Sequence, residues 1–284
     1  TRRSSDLELE REGVRVTYLK VDGNGRINLD ELKNEICKDT VIVSIMHVNN
    51  EIGSIAQIES IGKIVKEKSK RAKFHIDAVQ SFGKLRINVQ KCNIDLLSAS
   101  GHKIAGPRGV GLAYVRKGLI PRPLIYGGGQ EAGFRSGTEN LPAIVGFACA
   151  IKKADAALEE NYNKVSSIKK HFLDKIVDID DIRINDSDTS IFLPYVLSIS
   201  FLGVKGEALL HALEDEGIFV ATGSACSSNV KNSRSYVLRQ IGLLDREIDG
   251  TIRFSFNPHN TTVEVDYTID KLKKCLNFLR RIKV

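Results

Sequence analysis

Strand-like and helix-like segments alternate through the first half of the chain. The stretch "VIVSIMHV" (41–48) is a continuous apolar run, typical of a strand buried in a parallel sheet. The next segment, "IESIGKIVKEKSKRA" (58–72), has isoleucine and valine at helical spacing and lysines between them. "FHIDAV", "IDLLSAS" and "GVGLAYVR" are then typical of short strands. This order predicts an α/β layered domain with a largely parallel sheet, in which ligands bind at the carboxyl ends of the strands.

The remaining segments predict a second, smaller domain. A charged helix is expected from about residue 151 to 176, and shorter elements follow up to a final helix over 263–281. This order is typical of an α+β domain. We therefore expect a large domain over residues 1–158 and a small domain over 159–284. Residues 1–7, "TRRSSDL", match one reading frame of a short-read sequencing adapter, and we interpret them as artefactual.

Composition argues against several classes of protein. The formal net charge is +7, but no block of like charge and no nucleic-acid-reading module stands out, so we expect no nucleic-acid partner. No segment is apolar over the length needed to span a membrane. Five scattered cysteines without a CxxC pair argue against a disulfide framework and a structural zinc site, and they favour a reducing, cytoplasmic location. The cysteines are Cys37, Cys92, Cys149, Cys226 and Cys275.

Polar residues follow the predicted strands at their carboxyl ends. "FHIDAVQS" places Asp77 between apolar neighbours, where a carboxylate is costly unless it is paired. "LLSASGHKIAGPRGVG" places Lys103 in a turn of small residues. Taken singly, Asp77 is most simply a helix cap and Lys103 a solvent-facing lysine. Taken together, a Schiff-base lysine and an aspartate for a pyridinium nitrogen are the minimum protein equipment for pyridoxal phosphate.

Further polar residues near these strand ends are suited to bind the phosphate and the phenolic oxygen of that cofactor. Ser100 and His102 stand beside the lysine as donors for a phosphate, and Asn50 and Gln80 can bind the phenolic oxygen of the ring. The glycine-rich stretch "YGGGQEAGFRSGTEN" (126–140) offers exposed N–H groups and Thr138 for an anion. A glycine-rich loop alone is weak evidence, because many such loops are only turns.

For two residues in the second half of the chain, the sequence pattern does not decide between a functional and a structural role. Cys226 lies in "TGSACSSNVKNS", a small, polar and turn-prone stretch that favours an accessible thiol over the usual core cysteine. Arg253 stands among alternating apolar residues in "TIRFSF". Such an arginine suits bidentate capture of a carboxylate, and a buried structural ion pair is the alternative.

Six motifs occur together in one order: "SIMHVNNEIG", "HIDAVQSFGK", "SGHKIAGPRGVG", "GGGQEAGFRSGTEN", "ATGSACSSN" with "SYVLRQIG", and "TIRFSFN". In this combination the chain, from Leu9 to its end, resembles the cysteine desulfurases of the NifS/IscS-like group, within the class V pyridoxal-phosphate-dependent aminotransferase family. The resemblance implies a fold-type I pyridoxal-phosphate transferase, with a mainly parallel sheet between helices and a smaller α+β domain.

The resemblance also implies cofactor roles for the strand-end residues. Lys103 would form the Schiff base with pyridoxal phosphate and, once released, carry a proton between the substrate Cα and the cofactor. Asp77 would keep the ring nitrogen protonated. The ring oxygen would be contacted by Asn50 and Gln80, and the phosphate by Ser100 and His102.

Substrate, persulfide and subunit roles follow in the same way. Arg253, with Asn50, would bind the carboxylate of L-cysteine. Cys226 would attack the substrate sulfur, hold it as a persulfide and leave L-alanine. Thr138 would reach the phosphate of the neighbouring subunit, which implies a homodimer.

The resemblance therefore predicts a sulfurtransferase that passes its persulfide to an iron–sulfur scaffold or a sulfur-relay protein, for iron–sulfur cluster assembly or tRNA thiolation. A selenocysteine lyase or another class V aminotransferase is the first alternative. The second is an inactive, truncated paralogue, because the family's upstream glycine-rich phosphate loop and its ring-stacking histidine would lie before residue 8 and neither is present. On this reading the large domain is incomplete and the chain N-terminally truncated.

Overall fold

The computed structural model describes residues 4–123, 125–186, 190–223 and 234–282. In chain order its helices and strands are α1 (Ser4–Arg11), α2 (Leu29–Glu35), β1 (Ile42–Met46), α3 (Ile58–Lys68), β2 (Lys73–Asp77), β3 (Leu96–Ser100), β4 (Gly111–Val115), α4 (Leu141–Ala156), α5 (Leu158–Ile176), β5 (Ile182–Ile184), β6 (Val196–Phe201), α6 (Gly206–Glu214), β7 (Ala221–Thr222), α7 (Tyr236–Gln240), α8 (Asp245–Asp249), β8 (Thr251–Ser255) and α9 (Thr262–Arg281).

The chain divides into two compact units. The Lys103 unit comprises Ile36–Val48 and Gln57–Leu158. The Arg253 unit comprises Thr1–Glu35, Asn49–Ala56 and Glu159–Val284. In the part of the chain that the structure describes, no helix is both long and apolar enough to cross a membrane.

The sheet of the Lys103 unit has the strand order β1-β2-β3-β4. The first three strands are parallel, which confirms the predicted largely parallel sheet, and β4 pairs antiparallel with β3. The register places Met46 beside Asp77 and Asp77 beside Ser98. Because the strands are parallel and in this register, the polar residues that end β2 and β3 lie at the same edge of the sheet.

Only one face of this sheet is well buried. Val43 of β1 and Phe74 of β2 are 8% and 0% exposed, and α3 packs closely on that face, since a Cβ added to Gly62 would lie 3.2 Å from the Phe74 ring. On the other face Ile42 is 47% exposed. The continuous apolar run 41–48 is therefore not buried on both sides as a doubly covered parallel strand would be, because successive side chains of β1 alternate between a packed and an open face.

The sheet of the Arg253 unit is antiparallel, with the strand order β5-β6-β8-β7. Its apolar face packs against α5, α6 and α9, where the rings of Phe172 and Phe254 lie 4.9 Å apart. The opposite face carries Ser198, Ser200 and Arg253 on neighbouring strands. A short antiparallel sheet with helices on one face is the α+β arrangement expected for this half of the chain.

Some predicted elements have different boundaries in the structure. The charged helix predicted over 151–176 is the second part of a pair, α4 and α5, separated at Ala157. Helix α4 begins ten residues earlier than predicted because Asn140 caps it, its side chain accepting the Ala143 N–H at 3.2 Å. The final helix begins at a capping box formed by Thr261 and Glu264.

Residues 14–19, "VRVTYL", alternate apolar and polar side chains as a strand does, but they form no strand, and the pairing that follows is a single bridge between Val21 and Ile27. Between these two residues the Asp22 carboxylate accepts the N–H groups of Asn24 and Arg26, each at 2.9 Å, so local side-chain bonds replace a ladder. Within the described residues 218–223, strand β7 comprises Ala221 and Thr222.

Candidate active site

Asp77 is the last residue of β2 and stands at the centre of the parallel strands. Its main-chain carbonyl accepts the His47 N–H at 2.9 Å, and its carboxylate accepts the Val79 N–H at 3.0 Å. The carboxylate is half-buried, and Gln80 is half-buried in the turn that follows. Main chain and side chain of Asp77 are thus both fixed at the carboxyl edge of the sheet.

Lys103 lies in a short 3₁₀ turn, Gly101–Ile104, directly after β3. Gly101 has no space for a side chain, since an added Cβ would lie 3.1 Å from the Pro107 carbonyl oxygen and from Val110. The turn is therefore packed tightly at its base, while Lys103 itself is exposed. A rigid base under a free amine suits a lysine that must present its Nζ to a ligand.

The turn also carries the two predicted phosphate ligands. Ser100 Oγ and His102 Nδ1 share a hydrogen bond of 2.7 Å. His102 is exposed and Ser100 half-buried, so both retain capacity toward a ligand. A hydroxyl, an imidazole and an amine therefore stand within four consecutive residues, one strand away from Asp77.

Lys84 is a site residue that the sequence reasoning missed. It lies in the turn after β2, and that turn packs on the Lys103 turn, because a Cβ added to Gly83 would lie 2.8 Å from Ile104. Gly83 has φ +71°, which favours glycine. Burial, and then the charge of Lys103, lower the pKa of Lys84 to about 8. The available signal was a lysine inside the otherwise apolar stretch "SFGKL".

The side chains of the Lys103 unit fit pyridoxal phosphate by their chemistry. Asp77 supplies a fixed carboxylate for a protonated ring nitrogen, and Lys103 an exposed primary amine. Ser100 and His102 supply donors for a phosphate, and the two neighbouring lysines make this edge attractive to an anion.

Thr138 is exposed in the glycine-rich segment of the same unit. Before it, the Ser136 hydroxyl donates to the Gly128 carbonyl at 2.8 Å, and the Gly137 N–H donates to the Gln130 side chain at 3.2 Å. These bonds close the segment on itself and leave Thr138 facing solvent. An exposed hydroxyl on a fixed turn suits a ligand that approaches from outside the subunit.

Arg253 is the central residue of β8, between Ser198 of β6 and Ala221 of β7. Its Nη1 donates to the main-chain carbonyl of Asn50 at 3.0 Å. Its Nε is buried and has no hydrogen-bond partner among the described residues. An unsatisfied buried donor costs about 1–3 kcal/mol, and a carboxylate ligand would remove that cost.

Glu51 is buried beside this clamp, with 7% of its surface exposed. The Ser235 hydroxyl donates to its carboxylate at 2.5 Å. Burial raises the pKa of Glu51, while the Ser235 hydrogen bond and the charge of Arg253 act in the opposite direction. The sequence placed Glu51 at a strand end without a role, and Ser235 was missed, although a serine directly before "YVLRQ" is a helix-cap pattern.

The structure groups the predicted residues by unit. Lys103, Asp77, Gln80, Ser100, His102 and Thr138 all belong to the Lys103 unit, whereas Arg253 and Asn50 meet in the Arg253 unit. Cys226 lies outside the described residues. Among the residues that are described, no group of three or more histidine, cysteine, aspartate or glutamate side chains is placed to hold a metal ion.

Comparisons with known proteins identify the family. The sequence pattern of the family described as "Aminotransferase class-V" matches residues 6–268. The chain is 44% identical over 275 residues to "Cysteine desulfurase IscS" of Vibrio vulnificus (strain CMCP6), covering 96% of this chain and 67% of the relative. The protein of the same name in Clostridium botulinum (strain Hall) is 42% identical over 276 residues, covering 96% and 69%.

A solved structure agrees with these relatives. The structure titled "NIFS-LIKE PROTEIN" superposes with a TM-score of 0.89 at 38% identity, covering 97% of this chain and 71% of that one. The matches confirm the family resemblance predicted from the six motifs, the fold-type I architecture and the cofactor predicted from Asp77 and Lys103. The chain belongs to the class-V aminotransferase family, and the cofactor of its desulfurase relatives is pyridoxal phosphate.

Proposed function

We propose that the chain is a cysteine desulfurase, a sulfurtransferase that converts L-cysteine to L-alanine and keeps the sulfur as a persulfide on Cys226. The relatives named cysteine desulfurase support the reaction type. The single observation of the structure that carries the proposal is the buried Nε of Arg253, which has no hydrogen-bond partner among the described residues and fits the carboxylate of an amino acid substrate. In this proposal residues 1–158 form the cofactor domain and 159–284 the domain with the catalytic cysteine.

The Lys103 unit would hold the cofactor. When bound, pyridoxal phosphate supplies an electron sink for negative charge at the substrate Cα. Asp77 would hold the proton on the ring nitrogen, and Lys103 would move a proton to and from the substrate Cα. Gln80 and Asn50 would contact the ring oxygen. Ser100, His102 and, from a neighbouring subunit, Thr138 would hold the phosphate.

Cys226 and Arg253 would act on the substrate. Arg253, with Asn50, binds the carboxylate and orients the substrate sulfur. The Cys226 thiolate attacks that sulfur, so an S–S bond forms and the C–S bond breaks. The carbon takes up a proton and becomes the alanine methyl group. The carbon is reduced by two electrons, and the Cys226 sulfur and the substrate sulfur are each oxidised by one. No external oxidant is required.

Replacing Cys226 tests this function directly. We expect Cys226→Ala, loaded with pyridoxal phosphate, to keep the visible absorbance of the cofactor and to form neither persulfide nor sulfide from L-cysteine. The matched control is Cys275→Ala, because Cys275 is a half-buried thiol on α9, outside the predicted site and the proposed interface, and should leave turnover per folded enzyme unchanged. Full turnover in Cys226→Ala would show that the nucleophile is assigned wrongly, and absence of cofactor absorbance in the unmodified chain would favour the inactive paralogue.

We also propose that the chain acts as a homodimer. Helix α4 follows directly after Thr138 and exposes an apolar stripe at helical spacing, with Leu141 65% and Val145 60% exposed and Cys149 exposed one turn further on. A second copy that covers this stripe would lie close to Thr138, which precedes the first residue of α4 by three positions. A contiguous apolar face beside a predicted shared phosphate site supports this occupant.

Sedimentation of two charged variants tests the dimer. Val145→Glu is expected to shift the chain from dimer to monomer and to weaken cofactor binding. Val177→Glu serves as the control, because Val177 is 72% exposed in the other unit. A monomeric unmodified chain, or a dimeric Val145→Glu variant, would contradict this interface.

The sulfur acceptor and location are proposed on chemistry alone. A persulfide is useful only if a second thiol or a cluster scaffold takes the sulfur, so the partner is a scaffold or relay protein of iron–sulfur assembly or tRNA thiolation. The four cysteines of the described residues form no disulfide with one another, which supports a reducing, cytoplasmic location. Sulfur transfer from Cys226 to a candidate scaffold, followed with labelled cysteine, would identify the acceptor.

A further inference from the structure

We infer that Glu51 is a positioning residue that anchors both described ends of the Cys226 segment to the turn that also holds Arg253. The inference rests on the proposed function, because it assigns Cys226 as the sulfur carrier and Arg253 as the carboxylate clamp. It adds a residue pair, Glu51 and Ser235, that has no part in cofactor or substrate contact.

The downstream end of the segment is anchored through Ser235. Residues 224–233 lie outside the described part of the chain, and Ser235 follows them closely. It is 5% exposed, and its hydroxyl donates to Glu51 while accepting the Leu238 N–H at 3.1 Å. One hydroxyl therefore caps α7 and fixes the start of that helix to Glu51.

The upstream end meets the same carboxylate. Gly223 is the last described residue before the segment, and a Cβ added there would lie 3.1 Å from Glu51 Oε2 and 3.5 Å from the Ser235 side chain. Gly223 thus lies beside the Glu51–Ser235 pair, with little space for a side chain between them. Bringing the two ends of a chain segment together costs conformational entropy. Glu51 is the side chain beside which both described ends lie.

The turn that carries Glu51 also holds the clamp. The Asn49 side chain accepts the N–H groups of Glu51 at 2.9 Å and Ile52 at 3.1 Å, which fixes the main chain between them. The preceding carbonyl, that of Asn50, accepts the Arg253 hydrogen bond. Adjacent residues therefore bind the Arg253 clamp through the Asn50 carbonyl and Ser235 through the Glu51 side chain.

Burial of this carboxylate needs a reason. A carboxylate that is 7% exposed and, among the described residues, accepts a hydrogen bond from one hydroxyl is poorly compensated compared with an apolar residue of the same volume. The nearby charge of Arg253 offsets part of the cost. Buried polar groups that cost stability are typical of functional positions. The function inferred for Glu51 is to link the turn that holds Arg253 to the described ends of the Cys226 segment.

Four variants of the cofactor-loaded chain test the inference: Glu51→Ala, Ser235→Ala, their double variant and Ser235→Thr. Rates are scaled to bound cofactor, so that a loss of folded enzyme does not count. We expect Glu51→Ala and Ser235→Ala each to lower kcat by at least about tenfold, and KM for L-cysteine to change by less than about threefold, because the Asn49 bonds still hold the Asn50 carbonyl.

The double variant and the conservative variant separate positioning from general destabilisation. If the pair acts as one unit, the double variant is no slower than the slower single variant. Ser235→Thr keeps the hydroxyl and is expected to keep most of kcat. Additive losses, or a Ser235→Thr as slow as Ser235→Ala, would overturn the inference.

The experiments also distinguish a wrong role for Glu51 from a wrong proposed function. If the unmodified chain forms no persulfide on Cys226, the proposed function fails. If it does form the persulfide and Glu51→Ala forms it at the same rate, the function stands and the role of Glu51 is wrong.

Discussion

Arg253→Lys is the most direct test of the substrate clamp. The change keeps one positive charge on β8 but replaces the planar guanidinium with a single ammonium. In the structure one guanidinium nitrogen is already committed to the Asn50 carbonyl, and the buried Nε is left for a ligand. A lysine has one nitrogen for both tasks and cannot present the second donor in a fixed direction.

The magnitude follows from the donor that is lost. A hydrogen bond from a charged donor contributes about 1.5–3 kcal/mol, and about 2 kcal/mol corresponds to a factor of about 30. The carboxylate is bound equally in the ground state and the transition state, so the loss should appear in KM. We expect KM for L-cysteine to rise by about 30-fold, with kcat within about threefold of the unmodified enzyme.

Steady-state alanine formation over a range of L-cysteine concentrations measures both constants. Arg183→Lys is the matched control, because Arg183 is on β5 of the same sheet and pairs at 3.0 Å with Glu247, a partly buried pair that has no contact with Arg253 or Asn50 among the described residues. The same change of side chain at that position should therefore leave KM unchanged. If Arg253→Lys leaves KM within about threefold of the unmodified value, the carboxylate does not bind to Arg253 and the clamp is refuted.

Three further predictions concern groups whose charge state the fold controls. Asp77→Asn should keep the cofactor bound but lower kcat by about 100-fold or more, measured as alanine formation, because an amide cannot hold the ring proton. Lys169→Met should lower the free energy of unfolding in urea by about 3–5 kcal/mol, because it leaves Asp186 buried without the ammonium now 2.6 Å away; a small loss would contradict this. Burial lowers the pKa of His47 to about 4, so stability should fall by about 3 kcal/mol as the pH drops from 6.5 toward 4, and His47→Gln should lack this slope.

The strand ends of the Lys103 unit could be predicted because their signals are local. Apolar periodicity marks β2 and β3, and a polar residue that interrupts it marks the end of each strand. Asp77 and Ser100 are indeed the last residues of those strands. Sheet neighbours then follow from the parallel order, which places Lys103 near Asp77 without any knowledge of side-chain contacts. No local signal predicts that β4 runs antiparallel to β3, because the apolar pattern of a strand is the same in both directions.

The neighbours of Arg253 could not be predicted in this way. Its alternating apolar context marked it as unusual, but its hydrogen-bond partner is 203 residues away. Glu51 and Ser235 are separated by 184 residues. Such pairs are fixed by tertiary packing, so neither residue carries a sequence pattern that names the other. Lys84 was missed for the same reason. Its burial beside Lys103 depends on packing between the turn that follows β2 and the turn that follows β3.

The sequence also does not show whether a residue acts through its side chain or through its main chain. Asn50 was predicted to bind ligands through its side chain, yet the contact that the structure gives it with Arg253 is made by its main-chain carbonyl. Any residue at position 50 would supply that oxygen, so the clamp depends on the path of the turn and not on the asparagine. The path is set by Asn49, whose side chain accepts the N–H groups of Glu51 and Ile52. The side-chain amide of Asn50 takes no part in the contact with Arg253, so the short stretch "NNE" serves the turn, the clamp and Ser235 with three successive residues.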